Sequence, residues 1–127
     1  MNSYSKLLLR VSALFALLGA FIGSHLAGAG DYTFKSVHAH ILVVGWLSLF
    51  AWAIYYKVFT VKSALLAKLH VYSAIIGSIG LTAGMWLYYV NPFNIDGPFP
   101  LIFFIVGGTI LLISFLIFAI MAFMTEE

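Results

Sequence analysis

Phe34-Lys-Ser-Val-His-Ala-His-Ile-Leu-Val-Val-Gly-Trp-Leu-Ser-Leu-Phe-Ala-Trp-Ala-Ile-Tyr-Tyr-Lys57 is a stretch long and apolar enough to cross a bilayer as a helix. Its first turns carry two histidines, His38 and His40. Ionisable side chains inside membrane segments are costly, and they usually face a protein interior where they serve a function. Neutral imidazole is also the commonest metal ligand. The stretch therefore predicts a membrane helix with a functional histidine pair near one end.

The composition of the whole chain indicates an integral membrane protein. Of its 127 residues, 64% are hydrophobic and only 8% are charged, which no soluble domain of this size shows. The chain has no Cys, and this excludes disulfides, thiolate ligands and iron–sulfur clusters. The net charge of +2 is too small to indicate a nucleic acid or an acidic protein as a partner.

Four apolar segments divide the chain, and together they predict an all-α, four-helix bundle embedded in the bilayer. At membrane-spanning length they cover residues of about 6–29, 34–59, 64–90 and 101–124. The first is too long for a typical cleaved signal peptide, and the last two are separated by a turn-rich loop, Asn91–Pro100. We expect a single transmembrane domain over 1–127, without a soluble domain or tail.

The basic residues predict the orientation of this bundle. Loop 1 contains only Lys35, and the loop between helices 3 and 4 contains no basic residue. The other basic residues lie at the start of helix 1 or between helices 2 and 3: Lys6, Arg10, Lys57, Lys62 and Lys68. The positive-inside rule places both termini and the second loop in the cytoplasm. His38 and His40 are then expected toward the outer leaflet.

The remaining histidines fall at two different depths. His25 lies near the outer end of helix 1, level with His38 and His40, whereas His70 lies near the inner start of helix 3. At about 1.5 Å of rise per residue, His38 and His70 differ in depth by about 20 Å. One metal ion cannot bridge that distance within a chain. His70 is therefore predicted to be structural or to belong to a second, inner site.

The helical faces of the histidines also differ. Two residues apart on a helix, His38 and His40 point about 200° from each other, so they do not readily bind one metal within one chain. They suggest two different neighbours, such as a pocket inside the chain and a subunit interface. Stripes of small residues on helices 1 and 3 could serve plain helix packing or admit a flat ring: Ala16, Gly19, Ala20, Gly23 and Ala27; Ala74, Gly77, Gly80 and Gly84.

The sequence from Ser36 to Lys57 resembles the histidine-bearing helices of subunit I of the haem–copper oxidase superfamily, which includes cytochrome c oxidases and nitric oxide reductases. It is more closely similar to small four-helix bacterial relatives of that subunit. Their third helix opens with a pattern like Ala67-Lys-Leu-His70. The resemblance implies a bundle that corresponds to one four-helix arc of subunit I, in the inner (cytoplasmic) membrane of a bacterium.

The same resemblance implies a cofactor, haem b, with His38 and His40 as axial ligands of the iron. His25, which lies at the same depth on helix 1, is a further candidate for a ligand from within the chain. Bis-histidine haem suits electron transfer, and five-coordinate haem binds gases such as oxygen or nitric oxide. A quinol or a cytochrome would be the redox partner. The chain has neither a His-x-x-x-Tyr pair nor adjacent histidines, which form the copper centre in the family. Whether this chain has a copper centre, and whether it is an enzyme with oxidase activity, is therefore left open by the sequence.

Two other functions remain open from the sequence. His25, His38 and His40 could bind copper or zinc near the outer face without haem, since imidazole suits both metals. The chain could also be a structural or assembly subunit of a respiratory oxidase. Because one arc is a fraction of subunit I and the two helix 2 histidines face opposite ways, we expect a homo-oligomer, with a trimer favoured and a dimer second.

Overall fold

The computed structural model describes residues 2–29 and 34–125, and in this part of the chain every long segment is helical. The prediction of an all-α chain with four helices long and apolar enough to span a membrane is confirmed. The α-helices are α1 (Asn2–Ala29), α2 (Lys35–His40), α3 (Leu49–Val58), α4 (Ala64–Met85) and α5 (Phe99–Met124). Two π-helical segments, π1 (Ile41–Ser48) and π2 (Trp86–Val90), join α2 to α3 and extend α4.

Local sequence explains where several of these helices begin. The Ser63 hydroxyl accepts a hydrogen bond from the Leu66 backbone N–H at 3.2 Å, so Ser63 caps the start of α4. Helix α5 begins at Phe99, slightly earlier than expected, because Pro100 is tolerated in the first helical turn where its missing N–H has no partner to lose. Helix α1 also begins earlier than expected, at Asn2.

The second span, α2–π1–α3, is one continuous helix whose middle is wound as a π-helix. The hydroxyl of Ser48 donates to the carbonyl of Val43, five residues earlier, at 3.0 Å. Such segments are rare and occur frequently at functional sites. They were not predicted from the sequence, because hydropathy with a period of 3.6 describes a regular α-helix. A π-helix changes the rotation along the span, so the faces expected from a regular helix do not continue past His40.

Glycines set the closest helix contact in the bundle, between α4 and α5. A Cβ atom on Gly77 would lie 2.5 Å from the backbone nitrogen of Leu111, and one on Gly84 would lie 2.5 Å from the Cα of Phe104. Only glycine permits backbones to approach this closely. The small-residue stripe on helix 3 therefore serves helix packing.

The bundle is packed more tightly at one end than at the other. We call the end with the start of α1 and the loop 59–63 the lysine end, and the end with the start of α2 and the loop 91–98 the histidine end. At the lysine end, side chains from all four spans meet in a buried core that includes Leu8, Trp52, Tyr56, Val71 and Met121. At the histidine end, a cavity of about 550 Å³ separates the first two spans from α4.

Candidate histidine site

His40 is held in one orientation by its own helix. Its ring atom Nδ1 lies 2.9 Å from the backbone carbonyl oxygen of Ser36, one turn earlier. A carbonyl oxygen only accepts hydrogen bonds, so Nδ1 carries the hydrogen and donates it. In the neutral ring the lone pair then sits on Nε2. Because His40 is partly exposed on the surface of the bundle, this arrangement offers a ligand atom to a group outside the chain's own core.

His38 faces the other way and packs against α1. A Cβ atom on Gly23 would lie 2.8 Å from the Cε1 of His38 and 3.3 Å from its Nε2, so only glycine leaves room for the ring. The other ring nitrogen, Nδ1, is buried and has no hydrogen-bond partner among the residues that the structure describes. An unpaired buried polar atom is costly. The imidazole of His38 therefore occupies the space between α1 and α2 itself, with an unmet bonding capacity.

His25 lies on the exposed surface near the end of α1. Across residues 2–29 and 34–125, no three His, Asp or Glu side chains lie close enough together to hold one metal ion. The structure thus keeps His25, His38 and His40 at the same end of the bundle without gathering them into one metal-binding group within a chain. His38 packs on Gly23 of α1, whereas His40 bonds to the backbone of its own helix.

His70 lies in the core at the lysine end and is completely buried. Its Nδ1 is 2.7 Å from the hydroxyl of Tyr56, and its Nε2 is buried without a partner in the described part of the chain. The rings of Trp52, at 4.6 Å between centroids, and Phe118, at 5.8 Å, enclose it. The sequence analysis did not identify the Tyr56–His70 pair. Its signal, a tyrosine near the end of one helix and a histidine near the start of the next, is too common to be specific.

The cavity at the histidine end was not predicted either. It is lined by α1, the start of the second span, and the region where α4 becomes π2. Its volume lies in the range of small-molecule sites, about 300–1,000 Å³. The lining is almost entirely apolar: Phe15, Leu18, Ile22, Phe34, Val37, Ile41, Ile79, Thr82, Ala83 and Trp86.

No protein-family model matches the chain, and no curated protein or solved structure matches it either. Any assignment of function therefore depends on the chain's own residues and their geometry.

Proposed function

We propose that the chain is a membrane haem b-binding protein similar to one arc of subunit I of the haem–copper oxidases, with a role in electron transfer. The observation that carries the proposal is the state of His40. A histidine that binds a metal usually donates its other ring N–H to a carbonyl or carboxylate, which fixes the tautomer and makes the ligand nitrogen more basic. The bond from His40 to the Ser36 carbonyl provides this support.

The position of His40 also supports a site shared between chains. A partly exposed ligand on the surface of one chain needs a second surface to enclose the cofactor. That surface would come from a second copy in a homo-oligomer, as a trimer or a dimer. Within the same chain, His25 is the remaining candidate for a second axial ligand at this end of the bundle.

His38 fits the cofactor less well than His40 in this packing. Its Nε2 faces Gly23 at close range, which leaves no space for a porphyrin between α1 and α2. Its unpartnered Nδ1 nevertheless marks it as a residue with bonding capacity to spare. His38 would serve as an axial ligand only if α1 moved away from the second span.

When bound, haem b supplies one-electron chemistry, and two imidazole ligands would leave no iron position open for a gas. The Ser36 carbonyl would hold the His40 ring in the orientation in which it binds the iron. Apolar surfaces of the chain would exclude water from the haem. The proposed location is the outer half of a bacterial cytoplasmic membrane, with both termini in the cytoplasm. A quinol or a cytochrome would exchange electrons with the protein there.

The test is an optical spectrum of the protein purified from cells with adequate haem supply. We expect iron, a Soret band and a low-spin spectrum that carbon monoxide does not change. His40→Ala should abolish the spectrum, whereas Ser36→Ala should retain it, because Ser36 contributes only its backbone carbonyl. Loss of the spectrum in His25→Ala would place the second ligand within the chain, and retention would place it in a neighbouring copy.

A colourless wild-type protein without iron would contradict the proposal, and copper or zinc in its place would favour a haem-free metal site. Gly23→Ala separates the roles of the two histidines of α2. The added methyl group would displace the ring of His38, since it would lie 2.8 Å from Cε1, and would leave His40 in place. An unchanged spectrum in this variant assigns the iron to His40, and a changed one assigns it to His38.

A further inference from the structure

The cavity at the histidine end continues as a groove along the surface of the bundle. A second cavity of about 250 Å³ shares Phe15, Leu18 and Ile79 with the first and extends between α1 and α4 to Val11. From Ile22 to Val11 the two cavities follow twelve residues of α1, or about 16 Å along its axis at about 1.5 Å per residue. We call this continuous surface the α1–α4 groove. It runs parallel to the helices, as an extended hydrocarbon chain in the bilayer does.

Neither water nor empty space explains the groove. The groove is open at the surface, and the atoms that line it lose dispersion contacts if nothing fills it. Bound water needs two to four polar partners, but the lining offers only carbon surface apart from Thr82 and Trp86. The hydroxyl of Thr82 already donates to the carbonyl of Ser78 at 2.8 Å. A hydrocarbon occupant remains.

We infer that the α1–α4 groove binds one acyl chain of a membrane phospholipid, whose phosphate lies at the histidine end beside Lys35. The rim of the groove is open to the bilayer, since Leu14 is 68% exposed and Ile79 is 51% exposed. Lys35 is exposed and directly follows Phe34, which lines the cavity. Its ammonium group attracts phosphate. Asp96, also exposed at this end, belongs to the loop 91–98, which contributes no residue to the lining.

The two π-helical segments are a second, independent reason to assign a ligand to this groove. Segment π1 begins at Ile41 and π2 begins at Trp86, and both of these residues line the cavity. Widened helical turns frequently occur at functional sites. Here they occur on two facing helices, where the cavity separates the second span from α4.

The experiment measures phospholipid retained by the purified protein after extensive washing in mild detergent, by native mass spectrometry and lipid extraction. We expect one phospholipid per chain in the wild type. Ala83→Phe adds an aromatic ring inside the cavity and should lower retention by about tenfold, equivalent to 1.4 kcal/mol of binding free energy. Ala119→Phe adds the same volume to the exposed side of α5, away from the groove, and should retain the lipid. Lys35→Gln should lower retention several-fold.

A second measurement does not depend on the folding of Ala83→Phe. Phospholipid with brominated chains, added to washed wild-type protein, should quench tryptophan fluorescence with saturation at one lipid per chain, and Trp86→Phe should lose that component. Non-saturable quenching, or equal retention in Ala83→Phe and wild type, overturns the inference. The inference is also overturned if Ala83→Phe leaves the phospholipid count unchanged but removes a bound haem or a second copy of the chain. The occupant of the groove would then be that haem or that second copy.

Discussion

The buried pair formed by Tyr56 and His70 provides a quantitative prediction. The Tyr56 hydroxyl lies 2.7 Å from Nδ1 of His70, and the two residues are 1% and 0% exposed. Because Nε2 of His70 already lacks a partner within residues 2–29 and 34–125, Tyr56→Phe would leave both ring nitrogens unpaired there. An unpaired buried polar group costs about 1–3 kcal/mol, and hydrogen bonds inside membrane proteins measure about 0.6–1.7 kcal/mol. We expect a loss of about 1–2 kcal/mol.

The assay is unfolding in mixed micelles with increasing SDS, followed by circular dichroism. Tyr72→Phe removes the same atom from a residue that is 48% exposed, and it should change the free energy of unfolding by less than about 0.5 kcal/mol. His70→Leu should cost less than Tyr56→Phe, since the freed hydroxyl can still donate to the carbonyl of Ala67.

The double variant Tyr56→Phe/His70→Leu completes a thermodynamic cycle that isolates the interaction between the two side chains. Removing both polar groups together should restore part of the stability lost in Tyr56→Phe alone, because no unpaired nitrogen remains. Equal stabilities of Tyr56→Phe and Tyr72→Phe, with no coupling in the cycle, would refute the reasoning. An altered haem spectrum in Tyr56→Phe would instead indicate a second, inner metal site at His70.

Three further outcomes are expected. Gly77→Leu should prevent α4 and α5 from packing and abolish the folded protein, because a Cβ at this position meets backbone atoms of α5. Gly108→Ala should be tolerated, because a Cβ there meets only a side-chain atom, at 3.4 Å. Equal yields of folded protein for the two variants would contradict this expectation. Since the chain has no Cys, Thr60→Cys and Asp96→Cys can each be labelled alone, and an impermeant thiol reagent applied outside the cell should reach only Asp96→Cys. Native mass spectrometry of the haem-loaded protein should show an oligomer, and a haem-loaded monomer would contradict a shared site.

The four membrane-spanning helices could be predicted from the sequence, because the hydropathy of each segment is the sum of the contributions of its own residues. Helices of membrane-spanning length need only enough consecutive apolar residues, and a backbone in lipid must satisfy its own hydrogen bonds. The separation of His70 from the other three histidines followed in the same way from the rise per residue. The stripe of small residues that includes Gly77 and Gly84 had two interpretations, helix packing or space for a flat ring, and helix packing was one of them.

The environment of each histidine depended on the tertiary structure. In a membrane protein the lipid is as apolar as the protein core, so hydropathy does not distinguish a buried face from a lipid-facing one; Leu8 is fully buried and Leu14 is 68% exposed on the same helix. The π-helical segments altered the rotation of the second span beyond what periodicity predicts.

Three features therefore depend on the packing of the helices and could not be predicted from the sequence. They are the contact of His38 with Gly23, the contact of Tyr56 with His70, and the groove between α1 and α4. Each depends on how far one helix is rotated against another. The hydrogen bond from His40 to Ser36 lies within a single turn, but the partial exposure of His40 depends on how the described helices pack around it. The sequence determined where the histidines lie along the helices, and the packing of the helices decided which of them is exposed.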